Sequence, residues 1–111
     1  MKPLVSVCCI TYNHEKFITD CINSFLNQEV SFDIEFLIHD DASTDCTQKI
    51  IKNLVGNDSR FKLILREENI KSTGKAIFPI LFEKAKGKYI AMCEGDDYWT
   101  DPLKLQKKVQ H

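Results

Sequence analysis

Four apolar runs rich in β-branched and aromatic residues recur along this chain, and a segment of helical period follows each one. "LVSVCCITYN" opens the series: residues 4–10 are apolar enough for a strand covered on both faces, and a polar tip closes it. In "NHEKFITDCINSFLNQ" the period changes, with Phe17, Ile18, Cys21, Ile22, Phe25 and Leu26 on one helical face and Asn13 placed to cap it. "IEFLIHDD" is a second strand that ends in acid. "STDCTQKIIKNLVG" is a second helix, with Ser43 or Thr44 as cap, Ile50, Ile51, Leu54 and Val55 as stripe and Gly56 after its last turn. "FKLIL" reads as a third strand and residues 74–86 as a third helix, with Pro79 inside it leaving its start and straightness open. "KYIAMC" is a fourth strand, and "TDPLKLQKKVQ" opens a last helix with Asp101 as cap and Pro102 in the first turn.

The order β-α-β-α-β-α-β-α predicts an α/β fold: a Rossmann-like, mostly parallel sheet with right-handed crossovers and helices on both faces. The chain has 111 residues, enough for one domain with one modest core. In such sheets ligands bind beyond the carboxyl ends of the strands. Both acidic clusters of this sequence fall at such ends.

Charge and cysteine usage narrow the class. A formal net charge of −1 gives no basic footprint for nucleic acid. Lys104, Lys107 and Lys108 read as the solvated face of the last helix. Five cysteines with no C-x-x-C pair, and with Cys8, Cys9 and Cys93 inside apolar runs, predict small buried hydrophobes in a reducing cytoplasm. No apolar stretch approaches the ~18 residues of a membrane span. Met1-Lys2-Pro3 leads straight into a strand pattern, so no signal peptide is expected.

In "HDDASTDCT", Ser43, Thr44 and Asp45 suit a helix start, with Asp45 complementing the positive end of the dipole. That does not account for Asp40 and Asp41, which come before the cap. A calcium loop on Asp41-x-Ser43-x-Asp45 fails, because its sixth position is Cys46 and its twelfth Lys52. No Gly-rich phosphate loop is present. In "CEGDDYW", Glu94, Asp96 and Asp97 crowd like charges at the end of an apolar strand. Hard oxygen donors of this kind suit Mg2+ or Mn2+, which would bridge to a diphosphate and neutralise it as it leaves. His39 reads as a packing or hydrogen-bonding residue, Tyr98 and Trp99 as anchors of the turn into the last helix, and Lys75 as solvated.

Three segments, "VSVCCITYN", "DDASTDCT" and "EGDDYWTDPLKL", together resemble the N-terminal half of a family 2 glycosyltransferase with the GT-A fold. The resemblance spans Val5 to Leu105 and makes the chain a partial GT-A fold. It implies an inverting transfer of sugar from a nucleotide-sugar, a UDP-sugar above all, to a hydroxyl acceptor, with a divalent metal, Mn2+ or Mg2+. The acceptor would be a glycan or lipid-linked molecule in polysaccharide, cell-wall or cell-surface glycan synthesis. Carried over by position, Thr11 and Tyr12 would line the nucleotide pocket, and Asp41, with Asp40 beside it, would accept from the base N–H. The D-x-D motif falls on Glu94-Gly95-Asp96. Asp96 and Asp97 would lie near ribose, phosphate and metal, with Glu94 as a third metal-side acid in place of the more frequent Asp.

Two departures accompany the match. Phe78 and Pro79 stand where many members carry an Arg-Asn pair, and the family's catalytic base would come from beyond His111. No catalytic residue is therefore assigned. Residues 1–111 are expected to form the donor and metal portion of a longer cytoplasmic enzyme, peripheral at the inner face of the membrane, and to self-associate through a surface that portion leaves open. The alternative is a non-catalytic nucleotide-binding or regulatory α/β module. A phosphoreceiver domain fits poorly, because the first strand ends in Thr11-Tyr12-Asn13 and the third in Arg66, where that fold needs acids.

Overall fold

The computed structural model describes residues 2–73 and 76–109. Its strands are β1 (Val5–Thr11), β2 (Ile34–Asp40), β3 (Phe61–Leu65) and β4 (Tyr89–Glu94). They form one sheet in the order β3-β2-β1-β4, and every pairing is parallel. The helices are α1 (Ile18–Leu26), α2 (Thr47–Val55), α3 (Phe78–Lys84) and α4 (Lys104–Val109), with a short 3-10 turn at Lys71–Thr73. The sequence expectation of a parallel α/β sheet holds. Lys75 and His111 lie outside the described residues.

The pleat divides the core into two layers, because alternate side chains of a strand point to opposite faces. Val5, Val7 and Cys9 pack with Phe36, Ile38 and Phe61 under Ile18, Cys21, Ile22 and Phe25 of α1, Ile51 and Val55 of α2 and Leu105 of α4. Cys8 and Leu37 face the other way, against Leu81 of α3. Helices thus cover both faces. On the α3 side the cover stops short: Ile90 and Met92 of β4 are 44% and 60% exposed.

Several ends differ from the sequence expectation. Asn13 does not cap α1. It sits at φ 54°, a left-handed conformation that Asn tolerates, and the helix begins later, with the N–H groups of Phe17 and Ile18 donating to the His14 carbonyl. For α2 the acceptor is Asp45, whose Oδ1 takes the Thr47 N–H, in place of Ser43 or Thr44. The third helix is shorter than residues 74–86, because Pro79 occupies its first turn, where a missing N–H is harmless. Gly56 takes φ 55° directly after α2. Trp99 packs on Phe25 with ring centroids 5.0 Å apart, so it anchors the last turn as expected. Tyr98, 59% exposed, does not.

Candidate functional site

The two central strands end side by side in the acids and hydroxyls that organise the site. Thr11 pairs with Asp40 in the β1–β2 register, and its hydroxyl donates to Asp40 Oδ1 at 2.5 Å. Asp40 also accepts from the Ser43 hydroxyl (2.5 Å) and N–H (2.9 Å) and from Gln48 Nε2 (2.8 Å). Both Asp40 and Thr11 are fully buried. A carboxylate with so many donors is satisfied without any ligand, and it ties together β1, β2 and the start of α2.

Above this layer the two loops are laced to each other. The N–H groups of Asn13, His14 and Glu15 donate to Ser43 Oγ (2.8 Å), Thr47 Oγ1 (3.0 Å) and Asp45 Oδ2 (3.2 Å). In return the Thr44 N–H donates to Asn13 Oδ1 at 2.8 Å. Ser43, Asp45 and Thr47 therefore hold the β1–α1 loop as well as the entrance of α2. This is a long-range role that helix-capping rules do not describe. Ala42, wedged between these bonds and Asp41, is held at φ 61°. For a residue with a Cβ that conformation costs about 1–2 kcal/mol.

Asp41 turns the other way. Its N–H donates to the Thr11 carbonyl, while its carboxylate accepts the Ile70 N–H at 2.7 Å and the Lys71 N–H at 3.0 Å. Asn69 Nδ2 donates to the Asp41 carbonyl. Asp41 thus anchors the segment that follows β3 as one wall of a cleft. The cleft has a volume of about 630 Å³; Asp41, Asn69, Lys71 and Ser72 line one side, and Tyr12, His14 and Glu94 close the others. It opens at the carboxyl ends of the strands, where an α/β sheet binds its ligands.

Of the residues selected from sequence, Tyr12, Asp41 and Glu94 line the cleft, and Thr11 and Asp40 lie beneath it as its support. Asp96 and Asp97 are exposed in the turn just beyond Glu94, a turn closed by the Asp97 N–H on the Glu94 carbonyl. Gly95 in that turn is buried, and its N–H donates to the Ile10 carbonyl. A Cβ there would fall 2.6 Å from His14 Nδ1 and 2.7 Å from Thr11 Cγ2, so only glycine fits.

No described side chain hydrogen-bonds to the carboxylates of Glu94, Asp96 or Asp97. Among the described residues no three acids, cysteines or histidines converge into a closed metal cage. Free, exposed oxygen donors without a cage match the way Mg2+ is held, by one or two carboxylates with phosphate and water completing the shell. The residues present fit such an ion.

His14, Asn69, Lys71 and Ser72 were missing from the sequence selection. The polar stretch "REENIKS" directly after β3 was the available signal, since it occupies the carboxyl end of a strand as the acidic clusters do. His39 is a core residue: its Nε2 accepts from Arg66 Nε at 3.1 Å, and burial, reinforced by the Arg66 charge, holds its pKa down. All five cysteines are free thiols. Among the described residues no helix is long and apolar enough to cross a membrane.

Comparison with known proteins bears on this geometry. An uncharacterized protein of Mycobacterium tuberculosis (strain H37Rv) is 44% identical over 108 residues, covering 96% of this chain and 31% of the relative. The putative teichuronic acid biosynthesis glycosyltransferase TuaG of Bacillus subtilis is 36% identical over 110 residues, covering 98% of this chain and 42% of the relative. Among solved structures, S. aureus TarS 1–349 in complex with UDP superposes with a TM-score of 0.78 at 30% identity, covering 99% of this chain and 31% of that one. The mannosyltransferase PcManGT of Pyrobaculum calidifontis, in complex with GDP-Man and Mn2+, shares the fold with a TM-score of 0.81 at 22% identity, covering 99% of this chain and 32% of that one. The chain thus spans 31 to 42% of the length of these proteins. The pattern of glycosyl transferase family 2 matches residues 6–111, and with it the chain belongs to that family.

Proposed function

We propose that residues 1–111 are the donor-binding portion of a GT-A glycosyltransferase that moves sugar from a UDP-sugar to a hydroxyl acceptor, with inversion, in polysaccharide or cell-surface glycan synthesis. The observation that carries this is the cleft itself. Asp41 stands on one wall as a buried acceptor, and Glu94 on another wall leads into a turn with two more free acids. A uracil N–H fits the first and a cation-bridged diphosphate the second. The UDP complex of TarS, at 30% identity, supports uridine as the nucleoside.

Tyr12 supplies an aromatic side chain at the base end of the cleft. Asp41 already takes two backbone N–H groups, and each of its oxygens retains a lone pair for the base. Glu94, Asp96 and Asp97 offer the carboxylates, one or two of which would hold Mn2+ or Mg2+, which, when bound, neutralises charge on the departing diphosphate. The base that activates the acceptor, a glycan or lipid-linked hydroxyl, would come from residues beyond His111, in a protein acting at the cytoplasmic face of the membrane. The open β4 edge, with Tyr89, Ile90 and Met92 exposed, supports self-association of this portion. Light scattering over a concentration series, with Met92→Lys as the control that disperses it, checks that point.

The test of the donor assignment is calorimetric titration with UDP, CDP, GDP and dTDP, each with and without Mn2+. The expected result is UDP bound more tightly than CDP, which lacks the base N–H, and more tightly with metal than without. Equal affinity for UDP and CDP would remove the base assignment, and indifference to EDTA the metal assignment.

A further inference from the structure

We propose that His14 is a donor-contacting residue of this site, giving a hydrogen bond from Nε2–H to the diphosphate of the bound nucleotide. The inference rests on the nucleotide reading above and extends it to a residue that the sequence pattern did not select. His14 is fixed by its backbone: its N–H donates to Thr47 Oγ1, and its carbonyl accepts the N–H groups of Phe17 and Ile18 at the start of α1. The side chain lies in the cleft wall and reaches Gly95, where an added Cβ would come within 2.6 Å of Nδ1.

Nδ1 is buried there and has no hydrogen-bond partner. With Nδ1 shut away from any partner, Nε2–H is the group of the ring that can reach a ligand in the cleft. A donor is then presented from the cleft wall beside the acidic turn. Any diphosphate linked through a cation to Asp96 and Asp97 must lie next to Gly95, and His14 is the side chain in contact with Gly95 on the cleft side. On the opposite wall Asn69 Nδ2 gives one of its two N–H groups to the Asp41 carbonyl and the Ser72 hydroxyl donates to the Asn69 carbonyl, which leaves the second amide N–H and the Lys71 ammonium there. With Asp41 and Glu94 also in the wall, an anion needs a donor on the Glu94 side, and His14 supplies it.

The experiment titrates the intact protein with UDP and with uridine, in the presence of Mn2+, for the unmodified protein, His14→Leu and His14→Gln. Leucine keeps bulk against Gly95 without a donor; glutamine places an N–H near the position of Nε2. The expected result is a loss of UDP affinity of about tenfold or more in His14→Leu, the size of a hydrogen bond to a charged group. Uridine affinity should stay unchanged, and glutamine should restore most of the UDP affinity. If leucine lowers the melting temperature too far for titration, His14→Ala replaces it as the donorless variant. Equal weakening of UDP and uridine overturns the proposal, because His14 would then act only by shaping the loop. Undiminished UDP binding in the donorless variant overturns it as well. An unmodified protein that binds no UDP overturns the nucleotide reading with it, whereas UDP binding indifferent to position 14 overturns His14 alone.

Discussion

The Thr11 hydroxyl donates to Asp40 Oδ1 across 2.5 Å, and neither residue has exposed surface. The bond joins the ends of the two central strands below the cleft, with Ser43 and Gln48 filling the remaining acceptor positions of the carboxylate. Asp40→Asn puts an amide NH2 among donors and is expected to destabilise the protein by about 3 kcal/mol or more, the cost of breaking a buried charged network. Thr11→Val removes one donor and should cost about 1.5–3 kcal/mol. Urea denaturation at neutral pH checks both. Wild-type stability in Asp40→Asn would show that the network is not what holds the strand ends.

Asp41 does two jobs that one substitution separates by readout. Its carboxylate holds the N–H groups of Ile70 and Lys71, and it faces the cleft. Asp41→Ala is expected to free the segment after β3, seen as faster tryptic cleavage at Lys71. It should also abolish the preference for UDP over CDP at a cost of about 1.5–3 kcal/mol in UDP binding. Faster cleavage with the preference intact would leave Asp41 a structural anchor only.

The fold was legible because each apolar strand run gives way to a segment of helical period and each acidic tip falls where a parallel sheet places ligands. Asp41 and Glu94 were legible for the same reason, one following directly on β2 and the other ending β4, whereas Tyr12 was selected only through the family resemblance. The lacing of Asn13, His14 and Glu15 onto Ser43, Thr47 and Asp45 was not, because those partners are 30 or more residues apart and each looks like an ordinary helix cap by itself. Asp40 and Asp41 are adjacent acids whose neighbours in sequence do not reveal that one is buried under the cleft and the other lines it. Only the register of β1 against β2, which sets Asp40 beside Thr11, separates them.

Acid should weaken the fold in two stages. Burial, and then the Arg66 charge, holds the His39 imidazole below its ordinary value of 6.5. The unfolded chain therefore takes up that proton first, and the stability present above pH 6.5 declines as pH falls below it. Burial alone would raise the Glu35 carboxyl, but hydrogen bonds from the Lys86 N–H and the Ser6 hydroxyl, with the Lys62 ammonium, outweigh it and leave it below its ordinary 4.5. Its contribution is present above pH 4.5 and lost as pH falls through the lowered value. Melting curves from neutral to acid pH should show both losses, with His39→Gln flattening the first and Glu35→Gln the second. A first stage that survives in His39→Gln would assign it to another group.

The acidic turn makes the sharpest prediction, because its geometry and its chemistry are tested by neighbouring residues. Asp96 is exposed and hydrogen-bonds to no described side chain, so Asp96→Asn should leave stability within about 0.5 kcal/mol of the unmodified protein. If Asp96 holds the cation, the same change removes most of the factor by which Mn2+ tightens UDP. Linkage requires that UDP lose an equal factor in tightening Mn2+, and such couplings commonly run from about fivefold to a hundredfold. Gly95→Ala reaches the same coupling by another route. Its Cβ would meet His14 Nδ1 at 2.6 Å and Thr11 Cγ2 at 2.7 Å, and Thr11 is locked by Asp40, so the turn must move. The expected cost is about 1–3 kcal/mol of stability, as for overpacking elsewhere, together with a weakened Mn2+–UDP coupling although every carboxylate is still present. Measuring Mn2+ affinity with and without UDP in both variants separates ligand loss from displacement. Coupling that persists undiminished in Asp96→Asn would show that the cation, if it binds here, is held by Glu94 and Asp97 without it.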